Sequence, residues 1–279
     1  MDMDDFTRCK ICPAHSSIPA YVLRDVTIYV CPECGFHYAA HLDGAPSEGL
    51  PGEGALTDNA RNYMESRLLE SREQNLSRLN LIKQYSPLTS AKCLDIGAGV
   101  GIFLDLLGRQ GAVGRGIEPS VPRRAFAGEK YGISLNQEPI EHSFWQREFA
   151  GFFDLATLWD VIEHVDFPRE TLAAAWHLLR PGGMLFLDTP TREALDYRIG
   201  EFFYRLSGGR CPLFLETIYA RVPYGHKQIF TAGQLVELLK RLGFEVLRVD
   251  SRHEPPAPSF FQRLRPGKGI VVVARKPEN

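Results

Sequence analysis

Eight residues, Leu94-Asp95-Ile96-Gly97-Ala98-Gly99-Val100-Gly101, constrain the fold more than any other part of the chain. An apolar run ends in three glycines spaced two apart, and an amphipathic stretch follows. The pattern predicts a strand, a tight turn and a helix start. Glycine has no Cβ, so a backbone built from it can approach a bound molecule closely. The helix start adds N–H groups without intrahelical partners, aimed at the same molecule. The spacing is G-x-G-x-G, whereas the dinucleotide fingerprint G-x-G-x-x-G would need glycine where Ile102 stands. A diphosphate also disfavours a carboxylate such as Asp95 inside the turn, because both are anionic. Asp95 better suits a ligand that carries positive charge.

Further segments continue the pattern. Gly116-Ile117-Glu118-Pro119-Ser120 ends a second strand in an acid, 17 residues after Gly101. A carboxylate in that place can accept two hydrogen bonds from a ribose diol. Phe153 to Val165 reads FDLATLWDVIEHV, and Arg180-Pro181-Gly182-Gly183 precedes the apolar Met184–Leu187. Together with Asp95, Gly97, Gly99 and Gly101, these motifs resemble the class I S-adenosylmethionine-dependent methyltransferases over roughly residues 88–279. S-adenosylmethionine carries a sulfonium, an ammonium and no phosphate. The LWDVIEHV wording is similar to the branch that includes ubiquinone-type O-methyltransferases and bacterial small-molecule enzymes.

The resemblance implies an α/β, Rossmann-like sheet with helices on both faces. It implies that the backbone around Gly97, Ala98 and Gly99, leading to Gly101, holds the amino-acid end of S-adenosylmethionine. Asp95 would support that turn or the ammonium. Glu118, followed by Pro119, would bind the ribose. Gln137 and Glu138, in the segment 136–140, would lie near adenine, and the carbonyls of Leu158 or Trp159 would meet the ammonium.

Asp160, Glu163 and His164 spell D-x-x-E-H, and His226 follows 62 residues later. This is similar to the E-x-x-E-H plus distant histidine of ubiquinone O-methyltransferases and of methyltransferases that modify small-RNA 3′ ends. There the cluster binds Mg²⁺, which positions vicinal hydroxyls. Here Asp160 is one methylene shorter than the glutamate of that pattern. Two other readings stay open. His164 or His226, with an unperturbed pKa of about 6.5, is suited to take a hydroxyl proton as a general base. Alternatively, both histidines tie neighbouring segments together by hydrogen bonds.

Six cysteines occur, four of them as Cys9-x₂-Cys12-x₁₈-Cys31-x₂-Cys34. Two C-x-x-C pairs at this separation predict a structural zinc site, because four thiolates complete a tetrahedral shell. Cys93 and Cys211 read as packing residues. The expected organisation is a zinc ribbon over 1–44, a Gly/Pro-rich linker over 45–58 and a methyltransferase domain over 59–279. A metal would stabilise a ribbon too small to bury much surface. A single helix is expected from about Asp58 to Tyr85. Strands are expected at 92–96, 113–117, 133–135, 153–159, 184–188, 244–250 and 270–274, with helices between them. Such alternation predicts a parallel sheet. The aromatic and arginine-rich insert over 190–228, including Tyr197, Phe202, Tyr219, Arg221 and Tyr224, is expected to form a helical cap over the acceptor. A proline-rich loop is expected over 254–266.

A net charge of −2 gives no broad footprint for nucleic acid, and the ribbon's only basic residues are Arg8, Lys10 and Arg24. No apolar run approaches the roughly 18 residues of a membrane span. The acidic start lacks a signal-peptide pattern, so the expected location is the cytoplasm. The expected function is methyl transfer to a small-molecule acceptor, most simply at oxygen. RNA-directed methylation, N- or C-methylation of a sugar or secondary metabolite, and a scaffold with an inactive core are the competing readings. The sequence gives no indication of oligomeric state.

Overall fold

The computed structural model describes residues 5–43, 54–219, 225–252 and 267–278. Most of the linker, Arg221 and Tyr224 of the insert, and the proline-rich loop lie outside the described residues. The central sheet has six strands in the order β5-β4-β6-β7-β10-β9. These are β4 (Lys92–Ile96), β5 (Val113–Ile117), β6 (Phe153–Trp159), β7 (Leu179–Pro190), β9 (Glu245–Arg252) and β10 (Gly269–Arg275). β5, β4, β6 and β7 are mutually parallel, whereas β10 runs antiparallel to both of its neighbours. The sheet is therefore mixed, because no crossover helix separates β9 from β10 among the described residues. The expected strand at 133–135 reduces to one bridge, Ile117 to Asn136.

The period-2 alternation of these strands feeds two cores, one on each face. Cys93, Leu155, Met184 and Phe186 pack with Phe103, Leu104 and Leu107 of α3 (Ile102–Gly108) and Ala127 of α4 (Val121–Tyr131). Leu94, Ala156, Leu185 and Leu187 point the other way. They meet α6 (Pro168–Leu178) and the Leu235, Leu238 and Leu239 stripe of α9 (Ala232–Arg241). Thr231 and Gln234 close a reciprocal capping box at the start of α9. A short helix, α5 (Ser143–Glu148), buries Trp145 on that same face.

The expected single helix over 58–85 is two helices, α1 (Asp58–Glu70) and α2 (Arg72–Lys83). Ser71 separates them, and its hydroxyl donates to the Leu68 carbonyl, a local bond that competes with the helix. Leu69 and Leu76 are exposed.

The N-terminal segment forms β1 (Ile18–Val22), β2 (Thr27–Val30) and β3 (His37–Ala39). The four sulfur atoms of Cys9, Cys12, Cys31 and Cys34 lie within 4.8 Å of one another, and all four residues are free cysteines. This ribbon does not stand apart. Its sheet takes a fourth strand, β8 (Gln228–Ile229), from beyond the insert. Phe36 and Tyr38 share the core of α6 and α9. The insert forms α7 (Leu195–Leu206) and α8 (Phe214–Ile218). Tyr197, Leu215 and Tyr219 pack on Tyr21, Leu23, Val26 and Ile28 of the ribbon. Tyr197 and Tyr219 are thereby buried on the ribbon sheet. No helix among the described residues is long and apolar enough to cross a membrane.

Candidate active site

The turn after β4 has the expected form. Gly97, Gly99 and Gly101 all adopt positive φ, at 71°, 55° and 79°. A Cβ on Gly97 would stand 2.4 Å from Val161 Cγ2, so the turn presses directly on the segment that follows β6. A Cβ on Gly99 would meet nothing within 4 Å, so that backbone faces open space. Glu118, 2 % exposed at the end of β5, accepts from Gly99 N at 2.8 Å and from Ser120 N at 2.9 Å. Burial raises its carboxyl despite Arg123 and these two N–H groups. Ala98 is buried and Pro119 half-buried beside them. Gln137 is exposed and accepts from Arg124 at 3.3 Å. Leu158 and Trp159 end β6 alongside Ile96 and Asp188, so the expected donor-contacting residues sit at one end of the sheet.

Asp95 is buried and accepts from Thr157 Oγ1 at 2.6 Å. Burial pushes its carboxyl up to about 7. The folded chain thus holds this proton more tightly than the unfolded chain does. The associated stability is complete below the ordinary carboxylate pKa and is lost as pH rises through about 7. Asp95→Asn, which mimics the protonated form, is expected to stabilise the ligand-free protein at pH 8 by about 3 kcal/mol and to have little effect at pH 4. Urea unfolding at the two pH values measures the difference. Equal stability of variant and wild type at pH 8 would contradict this account.

Asp160, Glu163 and His164, after β6, open onto a cavity of about 950 Å³ that is also lined by α2, β9 and the end of β7. Its wall carries a charge cluster that the motifs did not reveal. Arg78 of α2 donates to Asp188 through Nε and Nη2, both at 2.9 Å, and to Asp160 at 2.5 Å. Arg252 of β9 pairs with the same two carboxylates. Burial works to raise the Asp160 carboxyl, but Arg252 and Arg78 hold it below the usual range. Asp160 also adopts φ +54°, a left-handed backbone that its N–H bond to Asp188 helps to fix. Asp188 was open to the same reasoning as Glu118, an acid at a buried strand end. Arg78 and Arg252, in contrast, look like ordinary surface arginines in the sequence.

Glu163, His164 and His226 converge at the same cavity, with ligand atoms within 4.8 Å of one another. Glu163 is fully buried, and its Oε2 accepts from Thr189 Oγ1 at 2.9 Å. Burial drives its carboxyl up to about 8. Its Oε1 lies 3.9 Å from His164 Nε2. The two imidazoles have ring centroids 4.8 Å apart. Burial pushes His164 down to about 4, with His226 adding to the effect, and burial lowers His226 as well. Glu163 Oε1, His164 Nδ1 and His226 Nδ1 are all buried without a hydrogen-bond partner. Buried polar atoms without partners are costly unless something binds them. Asp160, expected in this group, is instead engaged by the two arginines.

A family model described as a methyltransferase domain matches residues 63–249. The ubiquinone biosynthesis O-methyltransferase of Cronobacter sakazakii is 36% identical over 203 residues, covering 68% of this chain and 77% of that one. Its counterpart in Nitrosococcus oceani is 29% identical over 202 residues, covering 71% and 80%. The match to the Pseudomonas aeruginosa enzyme is shorter, spanning 59% of that protein. Among solved structures, an S-adenosylmethionine-dependent methyltransferase from Thermotoga maritima superposes with a TM-score of 0.54 at 24% identity, covering 78% of this chain and 96% of that one. One from Mesorhizobium loti gives 0.53 at 19%, covering 70% and 95%. These two likenesses speak to the fold, and the family match and the Cronobacter relative to descent. The chain belongs to the class I S-adenosylmethionine-dependent methyltransferases.

Proposed function

We propose that the chain transfers the methyl group of S-adenosylmethionine to an oxygen of a small-molecule acceptor, in a biosynthetic pathway of the cytoplasm. The convergence of Glu163, His164 and His226 on the cavity carries this reading. The O-methyltransferase relatives support it. The donor would lie across Gly97–Gly101, with Glu118 exchanging its N–H partners for the ribose hydroxyls. Val161, seated on Gly97, links that turn to the segment bearing Glu163 and His164, so donor and acceptor sites meet along residues 159–164.

The acceptor oxygen attacks the methyl carbon in line. The carbon–sulfur bond breaks, S-adenosylhomocysteine leaves with a neutral sulfur, and the hydroxyl proton passes to water in the cavity. The donor set at the cavity fits a divalent cation, because Glu163, His164 and His226 bring a carboxylate oxygen and two imidazole nitrogens within 4.8 Å of one another. Such an ion would act as a Lewis acid on the hydroxyl. Two imidazoles and one carboxylate suit Mn²⁺, Fe²⁺ or Zn²⁺ better than Mg²⁺, which demands oxygen ligands. His164, pushed down to about 4, is a weak base at neutral pH, which disfavours it as the general base. The tetracysteine cluster fits a closed structural zinc site, with sulfur contacts of 3.6 Å from Cys9 to Cys34 and from Cys12 to Cys31.

The experiment is transfer of labelled methyl from S-adenosylmethionine to a panel of catechol and phenol acceptors, with RNA as a parallel substrate. Label in a methyl ether is the expected result. Label in RNA alone, or only on nitrogen or carbon, contradicts the oxygen assignment.

A further inference from the structure

We infer that the ribbon is a working part of the acceptor site: through Lys227 and Gln228 it fixes His226 against Glu163 and His164. The inference rests on the proposed role of that triad. Residues 162–165, which follow β6, lie in no helix or strand, so their carbonyls need outside partners. All four find them in the two residues after His226. Gln228 Nε2 donates to Ile162 O at 2.8 Å and Val165 O at 2.7 Å. Lys227 N donates to Glu163 O at 2.8 Å, and Lys227 Nζ to His164 O at 2.6 Å. Both side chains are almost wholly buried, at 2 % and 0 % exposure.

The same two residues are held from the other side by the ribbon. Ala39 N donates to Lys227 O at 2.6 Å, and Tyr38 pairs with Gln228 in the β3–β8 register. Lys227 Nζ meets Asp43 at 2.6 Å and Asp166 at 2.9 Å, so one ammonium bridges the end of the ribbon and the end of the triad segment. β3 begins three residues after Cys34. The second cysteine knuckle is itself docked, since Gln234 Nε2 donates to Cys34 O at 2.8 Å and Arg192 Nη1 to Gly35 O at 2.6 Å. The path from the tetracysteine cluster to His226 is therefore short and hydrogen-bonded throughout. On the donor side, Glu118 is held by Gly99 and Ser120, without ribbon residues. Lys227 and Gln228 are positioning residues: they act on the acceptor side through His226 and leave the donor side alone.

The test is deuterium exchange and S-adenosylhomocysteine calorimetry on the full-length chain, comparing wild type, Lys227→Met and the milder Asp43→Ala. Lys227→Met is expected to speed exchange over 160–166 about tenfold, and Asp43→Ala less, while exchange over 94–101 and affinity for S-adenosylhomocysteine stay within about twofold. If Lys227→Met does not fold, Asp43→Ala carries the test. Unchanged exchange over 160–166, or an equal rise across the whole chain, overturns the coupling. Should the pattern hold while Glu163→Gln keeps full methyl transfer, the role given to the triad fails and the coupling stands.

Discussion

Glu163→Gln is expected to lower the rate of methyl transfer about 1,000-fold while leaving S-adenosylhomocysteine affinity unchanged. Glutamine has the same shape and can keep the contact with Thr189, so the fold should be retained. It lacks the negative charge that the site's chemistry needs. In the ligand-free chain burial holds Glu163 neutral, up to about pH 8, and the charge of Asp160 adds to the effect. A bound cation would reverse that preference and ionise the carboxyl. Glutamine is frozen in the neutral state. His226→Ala should behave in the same way, because it removes a second member of the triad from the same cavity. Initial rates with a labelled donor give the answer. A Glu163→Gln enzyme within threefold of wild type would mean that Glu163 only ties Thr189 to the segment after β6.

Cys31→Ser is expected to abolish zinc retention and to lower the melting temperature by about 10–20 °C, which corresponds to roughly 5 kcal/mol in a chain of this size. Cys31 is fully buried and donates its backbone N–H to Phe36 O at 3.0 Å. Phe36 packs on Phe230 with ring centroids 4.8 Å apart. Loss of the metal therefore reaches the core shared with α6 and α9 and is not confined to an appended module. The melt should remain a single transition. A separate low-temperature transition, or a purified protein without zinc and a variant that melts like wild type, would contradict the structural-metal reading.

Much of this architecture is legible in the sequence, and for identifiable reasons. The glycine turn, Glu118 and the strands around them are local patterns: backbone conformation, period-2 burial and helix starts are all encoded within a few residues. The tetracysteine cluster is equally legible, because ligand spacing is a local constraint. What escapes is long-range. The arginines that occupy Asp160 come from α2 and β9, 82 and 92 residues away in sequence. Nothing in their neighbourhoods marks them as partners of one carboxylate. The union of the ribbon with β8 is hidden for the same reason: a two-residue strand has no periodicity to read. The aromatic insert was legible as a helical, apolar segment. Its role in covering the ribbon was not, since burial against one surface or another leaves the same pattern.

The proposed donor site runs across Gly97–Gly101, with Glu118 as the ribose partner. Calorimetric titration of the folded chain with S-adenosylhomocysteine tests this most directly, in wild type and in Glu118→Ala. Two hydrogen bonds to a buried carboxylate, at about 1.5–3 kcal/mol each, predict a loss of affinity of about 100-fold or more in the variant. Wild-type binding in the micromolar range, weakened to that extent by Glu118→Ala, is the expected result. No binding by the folded wild-type chain, or equal binding by both proteins, would contradict it.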